Sequence, residues 1–188
     1  MSNTLTINKT LVFHTWKSKT AAAVIAVAAA VALPQLFHAL GAVSGLGSAL
    51  GETFLPMHLP VLVIGLTAGP AAGLAAGVLS PVVSFGLSGM PSSVMLPFLL
   101  VELAGYGLAA GLLARVRLNT FCKLLLVQAA GRALRCAAVL IGVYAFDSTV
   151  AVSSIWMSIV TGLPGILLQW ALIPLLMFWV EKGVRRHE

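Results

Sequence analysis

Long apolar stretches, with very few charges between them, constrain this chain more than any other feature. Charged residues make up 9% of the 188-residue sequence, whereas a soluble domain carries roughly 25%. A helix needs about 20 apolar residues to cross the hydrocarbon core of a bilayer, so the chain has room for about six crossings. We therefore predict one all-α membrane domain over residues 1–188. The predicted spans are residues 20–40, 56–68, 71–87, 94–114, 121–145 and 154–180.

The first apolar run consists mostly of alanine and valine. Ala22, Ala26 and Ala30 recur at intervals of four and form a smooth stripe that permits close approach of another helix. Chance spacing in an alanine-rich helix is the alternative explanation. A cleaved signal peptide is an alternative for the whole run, because residues 30–32 (Ala-Val-Ala) are similar to a cleavage site.

Apart from Arg132 and Arg135, the lysine and arginine residues all fall on one side of the predicted bundle. Six spans place both termini on that side. The basic residues there are Lys9, Lys17, Lys19, Arg115, Arg117, Lys123, Lys182, Arg185 and Arg186. The opposite loops contain Glu52 and Asp147 but no basic residue. Because basic loops stay in the cytoplasm, we expect both termini there, and membrane orientation explains the net charge of +6 without a nucleic-acid partner.

Three charged residues lie deep inside predicted spans, away from the span ends, namely Glu102, Arg132 and Arg135. A charge inside a bilayer is costly, so such residues normally face a partner or a cavity. At 1.5 Å per residue, Glu102 lies roughly 12 Å below the outer end of its span, and the arginines roughly 16 to 21 Å below theirs. A buried ion pair that fixes helix packing is one interpretation, but it leaves the second arginine without a carboxylate partner. The other is that the arginines bind a carboxylate, phosphate or carbonyl-rich ligand, which guanidinium groups grip in a bidentate manner.

Four further residues are candidates for a ligand pocket. His58 begins the second span as either an interfacial histidine or a ligand contact, and metal binding is the least favoured interpretation because no second histidine lies nearby in sequence. Tyr106 is one helical turn from Glu102 on the same face. Trp156 is a pocket residue or an interfacial anchor. Met90 lies in the predicted loop 86–92.

The chain lacks the motifs of several enzyme classes. It contains no Walker P-loop, no HExxH, no GxSxG and no CxxC. We therefore expect no enzymatic activity, no metal site and no cofactor, and any ATP hydrolysis would belong to a partner.

Several runs carry a resemblance to a known family. They are Phe54–Leu62 (FLPMHLPVL) with Gly65 and Gly69-Pro70, Leu79-Ser80-Pro81, Gly89-Met90-Pro91, Glu102–Gly107 (ELAGYG) and Ala130-Gly131-Arg132. Together with six short spans, these runs resemble the vitamin-binding S components of energy-coupling factor transporters, over nearly the whole chain.

The resemblance implies that the chain binds a vitamin or vitamin precursor outside a bacterial cytoplasmic membrane. It also implies docking on a transmembrane coupling subunit driven by two cytoplasmic ATPases, with the alanine stripe as the docking surface. The ligand would lie in the outer half, beneath loops 41–57 and 86–92, and pantothenate- or cobalamin-related compounds are candidates. Arg132 and Arg135 would anchor its polar end, Glu102 would pair with an arginine or accept a ligand hydrogen bond, and the remaining lining residues would be His58, Met90, Tyr106 and Trp156.

A different class of function stays open. In a self-sufficient secondary transporter, Glu102 would carry protons, although we find no convincing similarity between the two halves of the sequence. A small membrane enzyme, an assembly factor and a purely structural subunit are further alternatives.

Overall fold

The structure, a computed structural model, describes Phe13 and residues 15–185, the side chains of residues 181 and 183–185 excepted. These residues are 82% helical and contain no strand. Lys9, Arg186 and the side chain of Arg185, all assigned above to the basic side, lie outside the described part. The helices are α1 (Trp16–Ser44), α2 (Ala49–Phe54), α3 (His58–Ala68), α4 (Pro70–Ser88), α5 (Leu96–Leu113), α6 (Thr120–Phe146), α7 (Ser153–Thr161) and α8 (Leu163–Arg185).

Six helical stretches are long and apolar enough to cross a membrane, which confirms the prediction of an all-α, multi-pass membrane protein. They are Trp16–Ser44, Ala49–Ala68, Pro70–Ser88, Leu96–Leu113, Thr120–Phe146 and Leu163–Val180. The second stretch consists of α2 and α3 and starts earlier than the predicted span at residue 56.

The last predicted span is interrupted at Gly162, between α7 and α8. Pro164 has no N–H group, so it cannot donate to the carbonyl of residue 160 and the helical ladder breaks there. The apolar stretch that can cross the bilayer therefore starts at Leu163, and α7 is a separate short helix whose residues take part in the site described below.

Apolar side chains cover the outside of the bundle as well as its core. Val24 and Ile25 of α1 are 63% and 69% exposed, and Phe178 of α8 is 59% exposed. In contrast, α3 is buried along most of its length, with Val61 and Leu62 at 0%. An exterior of this kind is stable in lipid and not in water.

Glycines allow α3, α4 and α5 to cross with their backbones in contact. A Cβ atom on Gly73 of α4 would overlap the carbonyl oxygen of Gly107 in α5, and one on Gly107 would overlap the carbonyl oxygen of Gly73. Gly65 of α3 lies against the same carbonyl of Gly107. Without a hydrophobic effect between helices in lipid, close packing of this kind is a main source of helix association.

The two ends of the bundle differ in charge. At one end the backbone N–H of Phe13 donates to Thr67 at 3.4 Å, and Lys123 Nζ donates to the carbonyl of Ala114 at 2.8 Å. We call this the basic end, because α1 starts there and the α5–α6 link carries Arg115 and Arg117. At the other end, the cavity end, Gln35 Nε2 donates to Ser88 Oγ at 2.8 Å.

The alanine stripe of α1 does not form an exposed docking surface. Ala26 and Ala30 are 8% and 0% exposed and belong to the main apolar core, and Ala22 packs at its edge. The small side chains let α1 lie close to α3 and α4 of the same chain. In this conformation the stripe is therefore used for packing inside the bundle, and docking of a partner on it stays a prediction.

Candidate binding cavity

A cavity of about 530 Å³ lies at the cavity end of the bundle. Its wall is assembled from α1, α2, the starts of α3 and α5, the α4–α5 loop, α6 and α7. Volumes of 300 to 1,000 Å³ are typical of sites for small organic ligands. The predicted position beneath segments 41–57 and 86–92 agrees with this wall, which includes Glu52, Leu55, Met90 and Ser92.

A buried carboxylate and two arginines form a cluster at the cavity wall. Glu102 is 0% exposed, and Arg135 Nη1 donates to its Oε2 at 2.6 Å. Arg132 Nη1 lies 3.3 Å from Glu102 Oε1. The three residues come from neighbouring helices, Glu102 from α5 and both arginines from α6, so the pairing that their depths in the membrane predicted is present.

Tyr106 closes the cluster from behind. It lies one turn after Glu102 in α5, is 2% exposed, and donates from its hydroxyl to Glu102 Oε1 at 3.2 Å. Arg132 and Arg135 line the cavity and Tyr106 does not. The two arginines therefore lie on the cavity side of the carboxylate, and Tyr106 lies on the opposite side.

The cluster holds more positive than negative charge. Two guanidinium groups share the single carboxylate of Glu102, and their side chains are 13% and 15% exposed. Glu52 also borders the cavity, but it is exposed at the rim, where water screens its charge. The inner part of the cavity therefore carries about one uncompensated positive charge.

Several buried hydrogen-bonding atoms around the cavity have no partner within the described chain. They are Nε and Nη2 of Arg132, Nε of Arg135, both ring nitrogens of His58 and Oγ of Ser154. Each unsatisfied polar group costs free energy in a buried site. Because they belong to residues that line one cavity, these atoms are open to water or to a solute that supplies matching acceptors and donors.

His58 belongs to the cavity and is not an exposed interfacial side chain, since it is 4% exposed at the start of α3. Its ring meets Tyr106 edge-on with centroids 5.2 Å apart. Its Nε2 atom is 3.9 Å from Glu102 Oε1, too far for a hydrogen bond. The ring is thus held by packing while its nitrogens stay available to a ligand.

Hydroxyl groups on α7 form a second polar wall that the sequence analysis missed. Ser154, Ser158 and Thr161 line the cavity, and Arg132 Nη1 donates to Ser158 Oγ at 3.3 Å. Their spacing of four and three residues places them on one helix face. In the sequence, these three hydroxyl residues stand out from an otherwise apolar segment, so the polar face could have been recognised there. His38 of α1 also lines the cavity, and a lone histidine in an apolar run gave no such signal.

The structure brings most of the predicted site residues together. His58, Met90, Arg132 and Arg135 line the cavity, and Glu102 and Tyr106 lie directly behind the arginines. Trp156 is different, because it is 67% exposed on α7 and is not part of the cavity wall. This placement agrees with its alternative interpretation as an interfacial anchor.

The lining of the cavity is therefore mainly apolar, with a polar inner part that carries excess positive charge. Comparison with protein-family models, with curated proteins and with solved structures finds no match to this chain.

Proposed function

We propose that this protein is the substrate-binding subunit of a membrane importer for a small anionic solute, of the size and polarity of a vitamin or vitamin precursor. The observation that carries the proposal is the pair of arginines, Arg132 and Arg135, that share one buried carboxylate beside a 530 Å³ cavity. The excess charge and the unpaired donors match a carboxylate, phosphate or carbonyl-rich ligand.

A purely structural role for the cluster leaves the second arginine and its unpaired donor nitrogens unexplained. A packing ion pair in a membrane needs one arginine for one carboxylate, and a second buried guanidinium adds a desolvation cost without a partner of its own. Arg132 has two donor nitrogens without a partner. An anionic ligand would satisfy them and offset the second charge.

Partners complete the proposed function. The sequence has no nucleotide-binding motif, so energy for uptake would come from a transmembrane coupling subunit and two cytoplasmic ATPases, in a bacterial cytoplasmic membrane. Ala26 and Ala30 are buried in the bundle in this conformation, and docking of these partners on the alanine stripe stays a prediction. The family resemblance of runs such as Phe54–Leu62 supports this assembly.

Native mass spectrometry of the gently purified protein tests the proposal. We expect a small anionic molecule to co-purify at a one-to-one ratio and to be lost in Arg132→Ala and in Arg135→Ala. Arg117→Ala is the matched control, since Arg117 is exposed in the link at the basic end, and this variant should retain the ligand. Arg135→Lys, which keeps the charge but not the planar fork, should weaken retention without abolishing folding.

Two results would overturn the proposal. One is a protein that is purified empty and binds no member of a panel of vitamins and simple organic acids. The other is a bound molecule that both arginine variants retain as well as the Arg117→Ala control does. In either case the arginines would be packing residues.

A further inference from the structure

Methionine is concentrated in the wall of the cavity. Met57, Met90, Met95 and Met157 all line it, and they account for four of the six methionines in the sequence. They come from separate places, namely the residue before α3, the α4–α5 loop, the N-cap of α5 and the middle of α7. The bundle thus brings together residues that are far apart in the chain.

The other methionine in the described part of the chain gives a useful contrast. Met177 is 4% exposed and packs in the apolar core, outside the cavity. Met57 belongs to the same core at 6% exposure, and the other residues of that core are mainly leucine, valine, isoleucine and alanine. The cavity wall is therefore richer in thioethers than the core.

Thioether groups bind aromatic rings better than branched alkyl groups do. A methionine sulfur is polarisable and makes favourable contacts with aromatic rings, which leucine of similar volume does not. Among the described residues, no Phe, Tyr or Trp is part of the cavity wall, so methionine provides its main polarisable apolar surface. Guanidinium planes such as that of Arg132 also stack on rings.

We propose that the ligand is a conjugated ring acid, with its anionic group at Arg132 and Arg135 and its ring system against the methionines. This inference rests on the proposed function, since it names the substrate class of the same cavity. The volume of about 530 Å³ leaves room for a ring system beyond the acid group. The hydroxyl groups of α7 would meet polar substituents of the ring.

A matched pair of probes separates ring recognition from simple apolar burial. The probes are 2-naphthoate and its saturated counterpart decahydro-2-naphthoate, which carry the same charge, and the method is isothermal titration calorimetry on the full chain in lipid nanodiscs. The saturated acid is the more hydrophobic of the two, so apolar burial alone would favour it. We expect 2-naphthoate to bind about 2- to 10-fold more tightly, the range of sulfur–aromatic contacts.

Methionine variants assign that preference to the wall. In Met90→Leu combined with Met157→Leu, the ratio of the two affinities should fall toward one, whereas Met177→Leu should leave it unchanged. Met90 and Met157 are 37% and 56% exposed, so the double variant keeps the buried core intact and should fold.

The outcomes distinguish this inference from the proposed function. Equal affinities for the two acids, or a ratio that the double variant leaves unchanged, would overturn the ring assignment while leaving an anion-binding cavity. Failure of both acids to bind at millimolar concentration would also overturn the ring assignment, whereas the anion-binding function is decided separately by native mass spectrometry of the arginine variants.

Discussion

Glu102 is the residue on which the cavity depends most. Its carboxylate receives the guanidinium of Arg135 at 2.6 Å, lies 3.3 Å from that of Arg132 and accepts the hydroxyl of Tyr106 at 3.2 Å. Two buried guanidinium groups on successive turns of α6 would repel each other strongly without it. The carboxylate therefore makes the arginine pair compatible with a membrane interior.

We expect Glu102→Gln to lower the free energy of unfolding by about 3 kcal/mol or more, the cost of breaking a buried ion pair. Tyr106→Phe is the control at the same carboxylate, and it should cost about 0.6 kcal/mol, the average contribution of a single side-chain hydrogen bond in a membrane protein. Denaturation in mixed micelles measures both. A second replacement, Arg135→Gln in the Glu102→Gln background, should recover part of the lost free energy of unfolding. Equal stabilities for all variants would contradict the role of Glu102 in stabilising the arginine pair.

The alternative of a proton-coupled carrier is also tested at Glu102. A carrier must expose its proton site to each side in turn, whereas Glu102 is 0% exposed and held by two arginines. In vesicles that contain this chain alone, we expect an imposed pH gradient to drive no solute uptake. Gradient-driven uptake that is lost in Glu102→Gln but kept in Tyr106→Phe would favour the carrier.

At the scale of the helices, the α4–α5 crossing sets how the site is positioned. Gly73 and Gly107 bring the two backbones into contact, and this crossing fixes α5, which carries Glu102 one turn and a half before Gly107. An added methyl group here meets backbone atoms, which cannot move aside as a flexible side chain can.

Gly107→Ala should therefore destabilise the protein by about 1 to 3 kcal/mol, as overpacking of a core does. Gly86→Ala is the matched control in α4, because a Cβ atom at Gly86 meets nothing within 4 Å. That change should be neutral or stabilise the helix by up to about 1 kcal/mol. Thermal unfolding in detergent compares the two, and equal melting temperatures would show that α4 and α5 are not in close contact.

Sequence patterns predicted some elements of this fold well and others poorly. Hydropathy and charge located the six spans, and helical spacing placed Glu102 and Tyr106 on one face, because these signals are local. The packing of the alanine stripe against α3 and α4 could not be predicted, since small residues permit close packing with a partner as well as within the chain. The break at Gly162 was missed because apolar residues continue on both sides of it.

For the whole molecule, the charges at its two ends predict the orientation in the membrane. Lys17, Lys19, Arg115 and Arg117 lie toward the basic end, and Glu52 of α2 and Asp147 after α6 lie toward the other. The positive-inside rule predicts that the basic end is cytoplasmic, and the cavity would then open to the outside of the cell.

Single cysteines test this orientation. In a background with Cys122 and Cys136 replaced by serine, we expect a membrane-impermeant maleimide added to whole cells to label Ser92→Cys but not Arg117→Cys, both of which are exposed loop positions. Permeabilised cells should label both, which controls for reactivity. Labelling of Arg117→Cys alone in whole cells would reverse the orientation.

The interlocked backbones of α3, α4 and α5 also determine what cannot pass through the molecule. Between the cavity and the basic end, the described part of the bundle is filled by Tyr106, Leu62, Leu103 and Ala110, all at 2% exposure or less. In this conformation these buried side chains separate the cavity from the basic end. Under the proposed function, a bound solute therefore crosses the membrane only when this packed region rearranges.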